Sequence, residues 1–367
     1  MNSYESWKRR FSQNGLVSFC RSVEGVLWLK LRSIDRRELL EEFCGRIGVP
    51  FAGAGTAETL WKPINSNLQA RQALDDFMRL CKMREGERIE ASFENIRSNL
   101  YKMKHFHWGG GYRNSLDKAI VSRYVKTDSI VPFDELAAIC KTELLEMSRG
   151  YLLNSWYNYW SSVIIENLFK RNDRVMPAYG KIKNVDFFVD DFPFDLKVTY
   201  LPKEYARGVR RNLRIDEPLK TVKAYARKNG ISFSKNADAD STYYEITERM
   251  RDSGMAGAKR VLAEIAHGWS DVVSEVVRDG RSLAKWLYEN QGEMRFGAEN
   301  RIFLVLIDMA DPENSWKLKR NVDLMAPKVD EWVRSFDSGN VNKLLTRFSF
   351  NGKRFEAYSD VIFVVKR

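Results

Sequence analysis

The sequence predicts an α/β fold: a mixed sheet flanked by helices, with a helical N-terminal region and a helical insertion between two strands. Three observations carry this expectation. After Pro177 the spacing of apolar residues changes from about 3.6 to 2, the switch from helix to strand. The run RIFLVLIDM at 301–309 is continuously apolar and of strand length, which suits the buried centre of a sheet. Ahead of both lie long stretches with apolar residues at three- and four-residue spacing.

Composition sets the outer limits. The 367 residues are 44% hydrophobic and 13% aromatic, which excludes a disordered chain. A net charge of +11 and a pI near 9.3 point to a polyanionic partner, nucleic acid first. Cys20, Cys44, Cys81 and Cys140 are widely spaced with no CxxC pair, so neither a zinc ribbon nor a disulfide scaffold is expected. The opening MNSYESWKRRF has no apolar core of a secretory signal, and no apolar run approaches the ~20 residues of a membrane helix. A cytoplasmic protein without a membrane partner is the expectation.

Residues 1–150 read as a mainly helical region for recognition or dimerisation. Asp35 stands as a cap ahead of RRELLEEF with Gly45 as its stop, and residues 67–83 and 90–103 read as two further helices. The Gly-rich stretches 48–56 and 107–115 lack G-K-[ST] and read as connections, not phosphate loops. His105 and His107 have no acidic or thiol neighbours in the sequence to complete a metal set. Residues 151–367 read as a second domain. PFDELAAICKTELLEMSR and NSWYNYWSSVIIENLFKR predict consecutive helices, the second opening on an Asn/Ser cap. Trp156, Tyr159, Trp160, Val163 and Phe169 line its expected buried side, with Glu166 beside them. Strands are expected at about 181–189 and 192–200, then a helical insertion at about 203–295. The apolar strand, a helix at about 322–336, a hairpin turning at Asn351-Gly352 and a strand at Ser359–Lys366 follow.

The stretch NVDFFVDDFPFDLKVT carries the chemistry. A two-residue turn at Asp190-Asp191 sets Val189 opposite Phe192, Phe187 opposite Phe194 and Val185 opposite Leu196. The other face then opposes Asp186 to Asp195 and Asn184 to Lys197. Two carboxylates with Cβ atoms ~5 Å apart repel by about 3 kcal/mol at an effective dielectric near 20. A divalent cation would remove that conflict, and oxygen ligands suit Mg²⁺ or Mn²⁺. Lys197 shares the face of Asp195 by strand alternation.

A carboxylate followed nine residues later by Asp-x-Lys resembles the PD-(D/E)XK nuclease superfamily. Asp186 stands for the family's first Asp and Asp195-Leu196-Lys197 for its (D/E)XK, while Val185 replaces the Pro. The resemblance covers Trp156 to Leu201 and extends loosely to the 301–309 strand. It implies a restriction-endonuclease-like αβββαβ core and metal-assisted hydrolysis of a phosphodiester. Asp186 and Asp195 would hold Mg²⁺, with the Leu196 carbonyl and Glu166 as further ligands, and Lys197 would serve the attacking water. A free-standing chain of this size resembles type II restriction enzymes, which implies double-stranded DNA as partner and a homodimer. A repair or anti-phage nuclease of looser specificity or acting on RNA, and an inert nucleic-acid-binding protein, are the alternatives. From Lys197 to Lys235 eleven Lys or Arg face three acids, an excess of eight. Within it Lys203, Arg207, Arg210, Arg211 and Arg214 are the expected phosphate contacts.

Overall fold

The computed structural model describes all residues except 1, 2, 14, 106–115, 128, 129, 181, 183, 235 and 291–298. The stretch 107–115, with His107, and the end of the expected insertion lie outside the described residues. Nine helices described there precede the sheet: α1 (Ser3–Ser12), α2 (Val17–Cys20), α3 (Val23–Ser33), α4 (Arg37–Ile47), α5 (Thr56–Ser66), α6 (Leu68–Leu100), α7 (Leu116–Ile120), α8 (Phe133–Lys141) and α9 (Glu143–Lys170). Strands β1 (Val175–Pro177), β2 (Phe187–Val189) and β3 (Phe192–Tyr200) follow. Helices α10 (Lys203–Asn212), α11 (Pro218–Lys228), α12 (Ala239–Asp252), α13 (Ala256–Arg278) and α14 (Gly280–Asn290) form the insertion. The chain closes with β4 (Arg301–Asp308), α15 (Val322–Ser335), β5 (Leu345–Phe350) and β6 (Lys353–Lys366).

The sheet is mixed and six-stranded, in the order β1-β2-β3-β4-β6-β5. β1, β2 and β3 pair antiparallel, β4 runs parallel to both β3 and β6, and β5 returns antiparallel on β6. Central β4 is buried from Ile302 to Asp308 because both its edges are paired and both its faces are covered. Alternation divides its side chains. Ile302, Leu304 and Leu306 join α9 and α15 through Phe169, Met325, Val329 and Val333. Phe303, Val305 and Ile307 face the insertion helices through Val272, Val276, Leu283 and Leu287. At the far hairpin Asn351 and Gly352 both take positive φ, 47° and 73°, as the expected turn requires.

Several boundaries differ from the sequence reading, each for a physical reason. The helix expected to stop at Gly45 runs on to Ile47, where Gly48 takes the left-handed φ of 70° that ends it. Asp35 does not cap it but pairs with Arg32. The segments 67–83 and 90–103 form one helix, α6, in which Gly86 is accommodated in the interior. Asn154 and Ser155 lie inside α9, which crosses residue 150 without a break, so they do not cap a helix. Its buried side is Tyr157, Ser161, Ile164, Ile165, Leu168 and Phe169, whereas Tyr159 is 63% exposed. The final strand is continuous with the hairpin: β6 pairs with β5 up to Tyr358 and with β4 from Ser359. Ile182, Val185 and Phe188 pack into a core otherwise built from α1 to α6.

Candidate active site

The β2–β3 hairpin is positioned from both sides through its turn. Asp190 and Asp191 adopt φ of 44° and 70°. Asp190 accepts from Arg174, which also donates to the carbonyls of Val333 (2.7 Å), in the last turn of α15, and Phe336 (2.6 Å), just beyond it. Asp191 pairs with the buried Lys30 of α3 at 2.6 Å. The conspicuous acidic pair therefore anchors the turn. The expected register holds for Phe187–Phe194 and Val189–Phe192. Phe187 stacks on Phe169 of α9 with ring centres 5.0 Å apart. That contact seats α9 against the hairpin and brings Glu166, three residues earlier on the same helical side, towards Asp186.

Beyond Phe187 the expected pairing gives way. Asn184 has a φ of 75° and the chain turns, so that Val185 enters the N-terminal core instead of standing opposite Leu196. The first strand therefore spans Phe187–Val189, shorter than the 181–189 expected. Asp186 takes over the hydrogen bonding. Its N–H donates to the Phe194 carbonyl at 2.9 Å, and its Oδ2 accepts from the Leu196 N–H at 2.7 Å. Burial, then Asp195, then Glu166 push the Asp186 carboxyl from the ordinary 3.8 up to about 7. The structure thus brings Asp186, Asp195 and Glu166 into one electrostatic cluster.

Each of these carboxylates is tied at one oxygen. Asp186 Oδ2 accepts from Leu196, Asp195 Oδ2 from Arg301 Nε at 3.0 Å, and Glu166 Oε2 from Lys170 Nζ at 2.9 Å. Among the described residues no hydrogen bond holds Asp186 Oδ1, Asp195 Oδ1 or Glu166 Oε1. Asp186, Asp195 and Glu166 offer oxygen donors, the ligand type that Mg²⁺ and Mn²⁺ prefer. Among the described residues no three Asp, Glu, His or Cys side chains stand close enough together to hold a metal ion by themselves.

Lys197 is exposed and lines a cleft of about 210 Å³ with Ser162, Glu166, Leu196, Val198 and Lys319. Three neighbours were not singled out from the sequence. The parallel register sets Arg301 beside Asp195, and Arg301 also pairs with Glu299. Glu299 is only 2% exposed and its Oε1 has no hydrogen-bond partner; burial and Asp195 raise its carboxyl to about 7 against the pull of Arg301. Lys319 lies in a 3₁₀ stretch, Pro312–Arg320, after β4. Glu299 and Arg301 straddle the start of the apolar run, a place where charged residues beside a buried strand were the available signal.

The expected phosphate contacts separate into two kinds. Arg211 and Arg214 are exposed at the end of α10. Lys203 pairs with Glu313 at 2.9 Å and Asp240 at 3.3 Å, and Arg207 lies 3.8 Å from Glu217. Arg210 is a correction: it is 6% exposed and donates to the Asp216 carbonyl at 3.3 Å, because α10 presents this position to α13. His267 is exposed, 3.7 Å from Asp271. No helix among the described residues is long and apolar enough to cross a membrane. Comparison with family models, curated proteins and solved structures finds no match to this chain. What the cluster can do is therefore argued from its own side chains.

Proposed function

We propose that this chain is a Mg²⁺-dependent endodeoxyribonuclease, served also by Mn²⁺, that cuts double-stranded DNA as a sequence-specific restriction enzyme of type II character. One observation carries the reading: three carboxylates, Asp186, Asp195 and Glu166, crowd at the end of a hairpin, each with one oxygen left untied, beside the exposed Lys197. Burial and the neighbouring carboxylates raise Asp186 even though Lys170 and Arg301 pair with the other two, and a cation bound at the cluster would relieve that cost. The succession of α9, three antiparallel strands and a fourth strand parallel to the third supports a restriction-endonuclease-like αβββαβ core.

In this reading Asp186 and Asp195 hold the ion, with the Leu196 carbonyl and Glu166 as further donors. When bound, Mg²⁺ acidifies a water and neutralises charge on the phosphate. The chain's own groups do the rest. Arg301 fixes Asp195 through Oδ2 and leaves Oδ1 free, and Leu196 N–H does the same for Asp186. Lys197 Nζ donates to the attacking water and to the phosphate oxygen that gains charge. Arg207, Arg211 and Arg214, beginning directly after β3, take flanking phosphates. A homodimer, in which two sites would cut both strands, is what the resemblance to type II restriction enzymes implies. A cytoplasmic restriction system is the matching setting.

The competing reading is an inert nucleic-acid-binding protein, favoured by the ion pair that Arg301 already makes with Asp195. A plasmid digest with and without Mg²⁺, with the fragment ends sequenced, decides. Discrete fragments sharing one end sequence are expected, and Asp195→Ala or Lys197→Ala should abolish cutting while DNA binding persists. A smear would mean a nuclease of loose specificity, RNA cleavage a different substrate. Binding without any cutting, or full activity in either variant, would overturn the assignment.

A further inference from the structure

We propose that the cleft between α9, β3 and the stretch after β4 is a phosphoryl-binding site in which Lys319 acts with Lys197 on one backbone phosphate. This rests on the nuclease reading for the phosphate's identity, a nucleic-acid phosphodiester. The argument begins with charge. Around the cleft Glu166 is matched by Lys170 and Asp195 by Arg301. Neither Lys197 nor Lys319 forms an ion pair with an acid among the described residues. Two ammonium groups thus line one cleft without an ion-pair partner, although the charge of Lys197 is also felt by the buried Glu299. Like charges at a shared cleft are favourable only with an anion between them.

Lys319 is also held in place, unlike a lysine on a solvated face. Its Nζ donates to Asn158 Oδ1 of α9 at 2.9 Å and lies 5.7 Å from the Tyr200 ring centre. Its chain neighbours Leu318 and Arg320 are buried, and Arg320 donates to the Met103 carbonyl at 2.7 Å. Burial and the charge of Lys197 lower the Lys319 ammonium to about 8, the strain an anion would relieve. Ser162 adds a hydroxyl to the same wall. The volume of about 210 Å³ accepts a phosphate with a few waters, at about 30 Å³ for each water. A phosphate has non-bridging oxygens enough for both lysines and the hydroxyl.

The test uses the full chain in EDTA, so that binding is read without metal or turnover. Anisotropy of a labelled 20-base-pair duplex is measured from 50 to 300 mM salt for wild type, Lys319→Met and Lys319→Arg. Lys319→Met is expected to bind about tenfold more weakly at low salt. Its plot of log affinity against log salt should be shallower by about one, the signature of one lost phosphate contact. Lys319→Arg should restore both. Inorganic phosphate should compete more strongly against wild type than against Lys319→Met. Thermal melts establish that the variants fold, and Ser162→Ala, expected to weaken binding by a smaller factor, probes the cleft from the other wall. Affinity and salt slope unchanged in Lys319→Met and Ser162→Ala would overturn the proposal. If wild type cuts no nucleic acid in Mg²⁺ yet these binding effects appear, the nuclease reading fails and the phosphoryl site stands.

Discussion

Replacing Asp186 by Asn should make the metal-free protein more stable and, on the proposed nuclease reading, abolish cleavage. In the folded chain this carboxyl is raised from 3.8 to about 7, so the folded state holds its proton more tightly than the unfolded state does. Stability linked to this group is therefore full at low pH and is lost as pH rises from 3.8 to about 7. At 1.36 kcal/mol per pH unit, the loss by pH 8 reaches about 4 kcal/mol. Asn carries no charge to desolvate, and its carbonyl oxygen can still accept from Leu196. With an unfolding entropy of about 2.1 cal/mol/K per residue over 367 residues, 4 kcal/mol corresponds to about 5 °C. Differential scanning fluorimetry in EDTA should show Asp186→Asn melting about 3–5 °C above wild type at pH 8. Less than half of that gain should remain at pH 5. Addition of 10 mM Mg²⁺ should raise the wild-type melting point and leave the variant's nearly unchanged. A variant less stable than wild type at pH 8, or a gain that does not vary with pH, would refute the crowding argument.

Other consequences are as accessible. Arg207→Ala, Arg211→Ala and Arg214→Ala combined should lower DNA affinity and its salt dependence without moving the melting point; Arg210→Ala should destabilise by about 1–3 kcal/mol, because it leaves the Asp216 carbonyl and a packed site unfilled. Gly180→Ala should cost at least 2 kcal/mol in a urea titration, since a Cβ there would collide with backbone at Arg32 to Asp35, where no flexible side chain can yield. In the native protein a maleimide should label Cys140, the exposed thiol, and spare Cys20, which burial pushes up to about 12. Mass spectrometry of the labelled peptides checks this, and labelling of the half-buried Cys20 as rapid as that of Cys140 would contradict its raised pKa.

What the sequence made legible follows from how local each determinant is. The Asn351-Gly352 and Asp190-Asp191 turns were readable because left-handed backbone selects those residues wherever they stand. The strand Arg301–Asp308 was readable because a strand covered on both faces must be apolar throughout. Helix ends were less so: Asp35, Gly45, Asn154 and Ser155 carry capping chemistry, yet tertiary packing continued or shifted the helices at each. Of the site, Asp186, Asp195, Lys197 and Glu166 lie within 32 residues and share one hairpin and one helix, so register alone could associate them. Arg301, Glu299 and Lys319 join them through the parallel pairing of β3 and β4, which no local pattern announces. Arg210 was misplaced for the opposite reason, since a dense basic run does not reveal which of its members faces inward.

The distance along the chain between Asp195 and Arg301 has a kinetic consequence. Their ion pair closes a loop of 106 residues, for which a flexible chain would lose about 4 kcal/mol in entropy. The intervening helices shorten that search, because Val222, Ala226, Ile246, Met250 and Ala258 form a small core of their own within the insertion. Collapse of this unit would present the ends of β3 and β4 to each other as neighbours of a compact body. Substitutions such as Ile246→Ala should then slow refolding of the sheet, although none of their atoms touches it. Unchanged refolding in Ile246→Ala, with stability lost only through faster unfolding, would show that this small core forms after the sheet.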